Sequence, residues 1–449
     1  MNRGCIAFVL TTWSLGLVGC SAPHGRAAQS APSRASERAQ QGNNPDRLAW
    51  FRELGFGLFI HWSLDAQLGL VISHSMVGAD KAYLERFVNE LPESFNPRRF
   101  DPGEWARLAK LAGMRYVVFT TKHHSGFCMY DTRTTDFNIM RTPYGQDITR
   151  QVVEAFRREG IAIGFYFSPD DFWTLHQQGL DVSRRRPEAQ PVNNPRLMAH
   201  DKAQLRELLT RYGPIDIIFL DGPAEELREL CWDLQPNIVV TRGAMETPEQ
   251  RLPGQPLPGP WEACFTMGEQ WQYRPTHEHY KTGTQLINML IETRAKGGNL
   301  LLNIGPHPEG FIPPEQEGLL REMALWNFIN REAIFDIRPW HVTNEGDIWF
   351  TQARNADTVY AIVTGDPWPW ETWRTFTLKS VRATPESQIE IVGQSGRVVE
   401  YKPDLIPETT WTQDDNGLHI KAMRAQRIYN DRKWPNPVVI RITHARPGS

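Results

Sequence analysis

The chain has 449 residues, 22% charged and 40% hydrophobic, with a formal net charge of −3. That length fits two or three domains, or one barrel of about 250 residues with a smaller companion. The near-neutral balance excludes a basic nucleic-acid surface and an acidic disordered chain, and a mean hydropathy of −0.47 excludes a polytopic membrane protein.

The first 20 residues read as an export signal. Arg3 supplies the positive start, and 6–18 form an apolar run too short to span a bilayer. The run ends Leu17-Val18-Gly19-Cys20, which resembles a bacterial lipoprotein box. That resemblance implies a lipidated Cys20 and an exported lipoprotein on the periplasmic or outer surface of a bacterial membrane, attached through Cys20 alone. Residues 21–44 have almost no large apolar side chains and read as a disordered tether. Cys5 leaves with the signal, so Cys128, Cys231 and Cys264 remain. An odd, sparse set without a C-x-x-C pair is neither a disulfide scaffold nor a zinc ribbon. These three read as small buried hydrophobes.

From 45 the texture changes to apolar runs alternating with amphipathic stretches. The spacing predicts strands over 55–61, 116–120, 161–167, 215–220, 238–240 and 299–304. Helices are expected at 104–114, around Val152, Val153 and Phe156, around Leu205, Leu208 and Leu209, and at 286–293. Asp101-Pro102-Gly103-Glu104 has the look of a helix start, with Asp at the cap and Pro in the first turn. Strands apolar on both faces, alternating with helices, imply a parallel sheet covered by helices. So many units in a row within 45–338 favour a TIM-like (β/α) barrel. A doubly wound open sheet is the alternative, weakened because no G-x-G-x-x-G or P-loop pattern follows a strand. Beyond 339 helical periodicity stops. Short strands at 348–351, 358–363, 375–378, 388–392 and 438–443 suggest a small antiparallel β-sandwich over 339–449.

In a β/α barrel the loops after the strands build the site, so strand ends matter most. The runs end in His61-Trp62, Lys122-His123-His124, Tyr166-Phe167-Ser168, Asp221-Gly222 and Thr241-Arg242. Each alone is an ordinary polar terminus, but together they mark one rim. Asp221 directly follows an apolar run and puts a carboxylate at the barrel mouth. Asp216, at the strand entry, reads as structural. Partner carboxylates lie in the loop-rich stretch beyond: Glu246 and Glu249 in Glu246-Thr247-Pro248-Glu249, then Glu262 after Trp261, then Glu269. Two carboxylates flanked by aromatics and histidines suit glycoside hydrolysis, one as nucleophile and one as acid/base. His123 and His124 are adjacent, so on a strand they point to opposite faces and do not share a metal. There is no H-E-x-x-H, and His277-Glu278-His279 reads as a solvated turn. No metal and no cofactor is expected. Neutral histidines exchanging hydrogen bonds with sugar hydroxyls fit better.

Longer segments then carry a resemblance. Phe56-Gly57-Leu58-Phe59-Ile60-His61-Trp62, Phe95-Asn96-Pro97, Phe100-Asp101 and Thr121-Lys122-His123-His124-Ser125-Gly126-Phe127 resemble the α-L-fucosidases of glycoside hydrolase family 29. So do Asp221-Gly222, Trp261-Glu262 and the run from Lys296-Gly297-Gly298-Asn299 to Asn303-Ile304-Gly305-Pro306. The resemblance implies a retaining exo-glycosidase acting on fucosylated oligosaccharides or glycoconjugates. It implies Asp221 as nucleophile and Glu249 as acid/base, with Glu262 the runner-up. It further implies sugar contacts from His61, His123, His124, Tyr166, Arg242 and Trp271. Three positions depart from the family pattern: Ser63, Phe219, and the stretch 73–80 beginning Ser73-His74-Ser75. The last motivates two alternatives, a related exo-glycosidase for a sugar such as an α-L-galactoside, or a catalytically silent glycan-binding surface lipoprotein. The sequence leaves the oligomeric state open.

Overall fold

The computed structural model describes residues 42–428 and 435–448. The expected export signal, Cys20 and all of the expected tether up to 41 lie outside the described residues. The last residues of that tether belong to the folded unit instead. Asn43 donates to the Val240 carbonyl (2.7 Å) and accepts from Val240 N–H (2.8 Å). Asn44 caps a helix, Pro45–Leu54, that apolar spacing did not announce. Asparagine is a good cap because its side chain satisfies an orphan N–H of the first turn.

Seven parallel strands follow: β1 (Phe56–Ile60), β2 (Tyr116–Lys122), β3 (Ala162–Phe167), β4 (Ile217–Leu220), β5 (Val239–Val240), β6 (Glu262–Thr266) and β7 (Asn299–Ile304). Their order across the sheet is β5-β4-β3-β2-β1-β7-β6. Between β5 and β6 the chain runs irregularly, yet 246–250 lies parallel to β6. Glu262 N–H donates to the Glu246 carbonyl, Cys264 N–H to the Pro248 carbonyl, and Gln250 N–H to the Cys264 carbonyl. The segment therefore stands where a further strand would, and the curled sheet is a TIM-like barrel.

Alternation along each strand sorts the side chains. One parity fills the barrel interior with Phe59, Tyr116, Val118, Tyr166, Ile217, Phe219, Val239, Cys264 and Leu301, and Phe51 and Leu54 plug its base. The other parity packs under the helices in a larger core that continues into the C-terminal sheets. Helix Pro102–Leu111 starts as expected, with Asp101 Oδ1 accepting from Gly103 and Glu104 N–H.

Among the described residues ten antiparallel strands follow: β8 (Ile337–Glu345), β9 (Ile348–Ala353), β10 (Val359–Val363), β11 (Trp373–Leu378), β12 (Val381–Arg382), β13 (Ile389–Ile391), β14 (Thr410–Asp414), β15 (Gly417–Met423), β16 (Val438–Ile442) and β17 (Arg446–Pro447). They form sheets ordered β13-β16-β10-β9-β8, β11-β15-β14 and β12-β17. Trp368 and Trp370 are buried there and donate to the Thr372 (2.7 Å) and Ala425 (2.8 Å) carbonyls, so they serve packing. Cys128, Cys231 and Cys264 are buried and unpaired.

Candidate active site

A pocket of about 180 Å³ opens among Phe59, His61, His123, Tyr166, Phe219, Asp221, Arg242, Glu249 and Trp271. It sits at the strand C-terminal ends, where a parallel barrel gathers its loops. Its size is below the roughly 300–1,000 Å³ of drug-sized pockets and suits one small ring.

Asp221 shares the interior parity of Ile217 and Phe219 and lies one residue past β4. Its Oδ2 accepts from the Tyr166 hydroxyl (2.7 Å) and its Oδ1 from Arg242 Nη1 (3.0 Å). Burial alone would raise its pKa, but charge from His124, Arg242 and Arg184 and the Tyr166 bond bring it below the ordinary carboxylate value. His124 is itself neutral near pH 7, because burial drops it to about 3. The lasting cations are therefore the arginines.

The hydrogen bonds fix the histidine tautomers. Asn303 Nδ2 donates to the Trp271 carbonyl (2.5 Å), so its Oδ1 accepts from His61 Nδ1 (2.6 Å). That leaves His61 Nε2 an acceptor, on a ring that burial holds neutral at about 4. His123 Nδ1 accepts from the His124 N–H (2.9 Å), so Nε2 carries the proton and donates to Tyr166 (3.0 Å). Tyr166 then donates onward to Asp221. Ser168 donates to the Asp170 carbonyl (2.8 Å) and accepts from His124 Nδ1. His124 Nε2 is buried without a hydrogen-bond partner, 3.5 Å from Asp221 Oδ2. The pocket thus presents a lone pair on the His61 imidazole and a carboxylate, a match for hydroxyl donors.

One expectation about these histidines is corrected. They do not point to opposite faces: their rings stand 4.3 Å apart. The register of β2 shifts between Thr120 and Lys122, and both histidines lie past the strand's last residue, so strand alternation no longer governs them. The shift turns Lys122 toward the helices, onto Asp201 (3.0 Å) and Asp171 (3.4 Å), all fully buried. Among the described residues His123, His124 and Asp221 form a cluster with metal-ligand spacing, donor atoms within 4.8 Å. Both His123 nitrogens are already engaged, which leaves it no lone pair for an ion.

Glu249 and Asp221 meet through one guanidinium, because Arg242 Nη2 donates to Glu249 Oε2 (2.9 Å) while Nη1 holds Asp221. The Glu249 side chain is 43% exposed, at the mouth. Glu262 does not join it. It is not in a loop but opens β6, at the opposite end of the barrel from Asp221. It is fully buried, accepts from the Tyr116 hydroxyl (2.6 Å), and burial pushes it up to about 7. Glu269 is ion-paired to Arg274 (2.9 Å) away from the pocket. Asp216 holds Arg47 (2.8 Å) and the Ile163 N–H (3.0 Å), a structural use as expected. Glu278 is less solvated than expected, since its Oε1 accepts from Glu269 and Gln270 N–H.

Trp271 forms one wall, 4.8 Å from the His61 ring, and Tyr166 stacks between His123 and Phe219. Sequence reasoning gave no site role to Asn303, Asp170, Arg184 or Cys264. Asn303 had a signal, a polar residue recurring at the inward parity of the apolar run Asn299–Ile304. Arg184 had none.

A family model described as α-L-fucosidase matches residues 24–332. The plasma α-L-fucosidase of Rattus norvegicus is 28% identical over 442 residues, covering 86% of this chain and 89% of that protein. The tissue α-L-fucosidase of the same species is 29% identical over 408 residues, covering 81% and 83%. Among solved structures, α-L-fucosidase isoenzyme 1 from Paenibacillus thiaminolyticus superposes with a TM-score of 0.70 at 28% identity, covering 88% of this chain and 98% of that one. A family match over most of the folded chain, on a barrel whose mouth gathers the family's carboxylate and histidine segments, makes this chain a glycoside hydrolase that belongs to the α-L-fucosidase family, glycoside hydrolase family 29.

Proposed function

We propose that the chain is an exo-acting, retaining α-L-fucosidase that removes terminal α-L-fucosyl residues from glycans. The observation that carries this is Asp221, kept anionic at a pocket sized for one sugar, with Glu249 reached by the same arginine. Asp221 attacks the anomeric carbon as the glycosidic bond breaks, and Glu249 delivers the proton to the leaving oxygen. Glu249 then takes a proton from water, whose oxygen attacks the same carbon and frees Asp221. One guanidinium reaching both carboxylates supports the spacing of about 5–5.5 Å that a retaining pair needs. A Bacteroides thetaiotaomicron enzyme of the same fold has been trapped as a covalent intermediate with a 2-fluoro-fucosyl fluoride. We also propose export and anchoring through Cys20, on the sequence of residues 1–20 alone.

The test is turnover of 4-nitrophenyl α-L-fucoside, with the product anomer followed by NMR. Asp221→Gly is expected to lose at least about a thousandfold in kcat, roughly 4 kcal/mol of transition-state stabilisation. The wild-type's first product is expected to be the α-anomer. A β-anomer first, or full activity in Asp221→Gly, overturns the mechanism. The matching α-L-galactoside measures strictness, and tight fucose binding without turnover identifies a silent binder.

A further inference from the structure

The sugar-binding residues considered so far offer the substrate more acceptors than donors. His61 Nε2 and Asp221 offer lone pairs to the cavity, and two N–H groups of Arg242 are taken up by Asp221 and Glu249. A sugar hydroxyl gives one hydrogen bond and can receive two, so a complementary site also needs free donors. Arg184, on the loop after β3, lines the same pocket. Its Nε donates to Asp170 Oδ2 (2.7 Å), and Asp170 is 4% exposed. Among the described residues neither Nη of Arg184 has a hydrogen-bond partner. One end of the guanidinium is thus planted on a buried carboxylate, and the other faces the cavity. Burial works against its charge, but Asp170 and Asp221 more than offset that. The neighbouring Arg186 pairs with Asp181 instead.

We propose that Arg184, held by Asp170, is a specificity-determining binding residue whose Nη groups donate to a ring hydroxyl of the bound fucosyl unit. The local charge count selects a neutral partner. Asp221, Glu249 and Asp170 face Arg242 and Arg184, three carboxylates against two guanidiniums, which leaves no surplus positive charge for a sulfated or carboxylated sugar.

This inference rests on the fucosidase reading. The experiment compares wild-type, Arg184→Ala, Arg184→Lys and Asp170→Asn on an aryl α-L-fucoside and its 2-, 3- and 4-deoxy analogues. Arg184→Ala is expected to lower kcat/KM about 10- to 100-fold, the size of a hydrogen bond to a charged group. The wild-type penalty for removing one particular hydroxyl is expected to vanish in Arg184→Ala and persist for the other two. Arg184→Lys should recover part of the loss, and Asp170→Asn should weaken discrimination at the same hydroxyl. Three unchanged penalties in Arg184→Ala, or a kcat/KM within twofold of wild-type, overturn it. Loss of all three penalties together with a lowered unfolding temperature also counts against it. A wild-type inactive on every fucoside instead overturns the fucosidase reading.

Discussion

Asp221 stays charged where burial would neutralise it, and Tyr166 is one of the groups responsible. Donation of a hydroxyl to the anionic form favours that form, so removing it raises the carboxyl pKa. Tyr166→Phe is therefore expected to move the acidic limb of the kcat/KM–pH profile to higher pH. An unmoved limb would show that the arginines alone hold the charge. The position of Asp221 at the barrel mouth was legible because it directly closes an apolar run. The adjacent histidines were legible as chemistry but not as geometry, since a backbone register shift leaves no mark in residue types. Arg184 was invisible for a related reason. It sits among Ser183, Arg185 and Arg186, and only the fold distinguishes the arginine that reaches the pocket.

At the scale of elements, strands with strong apolar runs announced themselves, and β6 did not. Its five residues, Glu-Ala-Cys-Phe-Thr, are bounded by a Pro- and Gly-rich stretch and begin with a charge. The charge misled: Glu262 reads as a runner-up acid/base in a loop-rich stretch but is a buried group bonded to Tyr116. Interior packing also explains one glycine. A Cβ at Gly57 would lie 2.3 Å from the Tyr116 ring. Gly57→Ala is expected to displace Tyr116 and destabilise by about 1–3 kcal/mol, as overpacked cores do. Thermal unfolding checks this, and an unchanged midpoint would mean that Tyr116 shifts freely. Behind β2, two carboxylates share the Lys122 ammonium. Asp171, which also caps Thr174 and approaches His200, is held below its ordinary value despite burial, while burial pushes Asp201 up to about 8.

Across the whole molecule, the two ends of the barrel differ: one carries the candidate site, the other a buried acid whose ionisation costs stability. Glu262 has a pKa of about 7 when folded, against an ordinary 4.5. An acid whose pKa is raised by folding contributes most favourably below the unfolded value, and that contribution is lost as pH rises through the folded value. The shift corresponds to roughly 3 kcal/mol above pH 7. Glu262→Gln keeps an acceptor for Tyr116 but cannot ionise. Its stability relative to wild-type is expected to grow between pH 4.5 and 7 and then level off, with turnover retained. Parallel unfolding curves at every pH would refute this. Barrel and sandwich were legible as a whole because periodicity changes from helical to strand-like near 339. The tryptophans divide likewise: Trp62, Trp105, Trp261, Trp326 and Trp368 are buried anchors, and Trp271 lines the pocket.

The backbone bonds that tie 246–250 to β6 have an evolutionary consequence. Glu249 is pinned on both sides, by the Pro248 carbonyl and the Gln250 N–H, independently of the chain between 251 and 260. Leu252, Leu257 and the Pro253 carbonyl have their own contacts with the core and Lys296, and the exposed residues between them can change while the acid/base candidate keeps its place. A lineage, or an engineer grafting loops there, can alter the stretch without unseating Glu249.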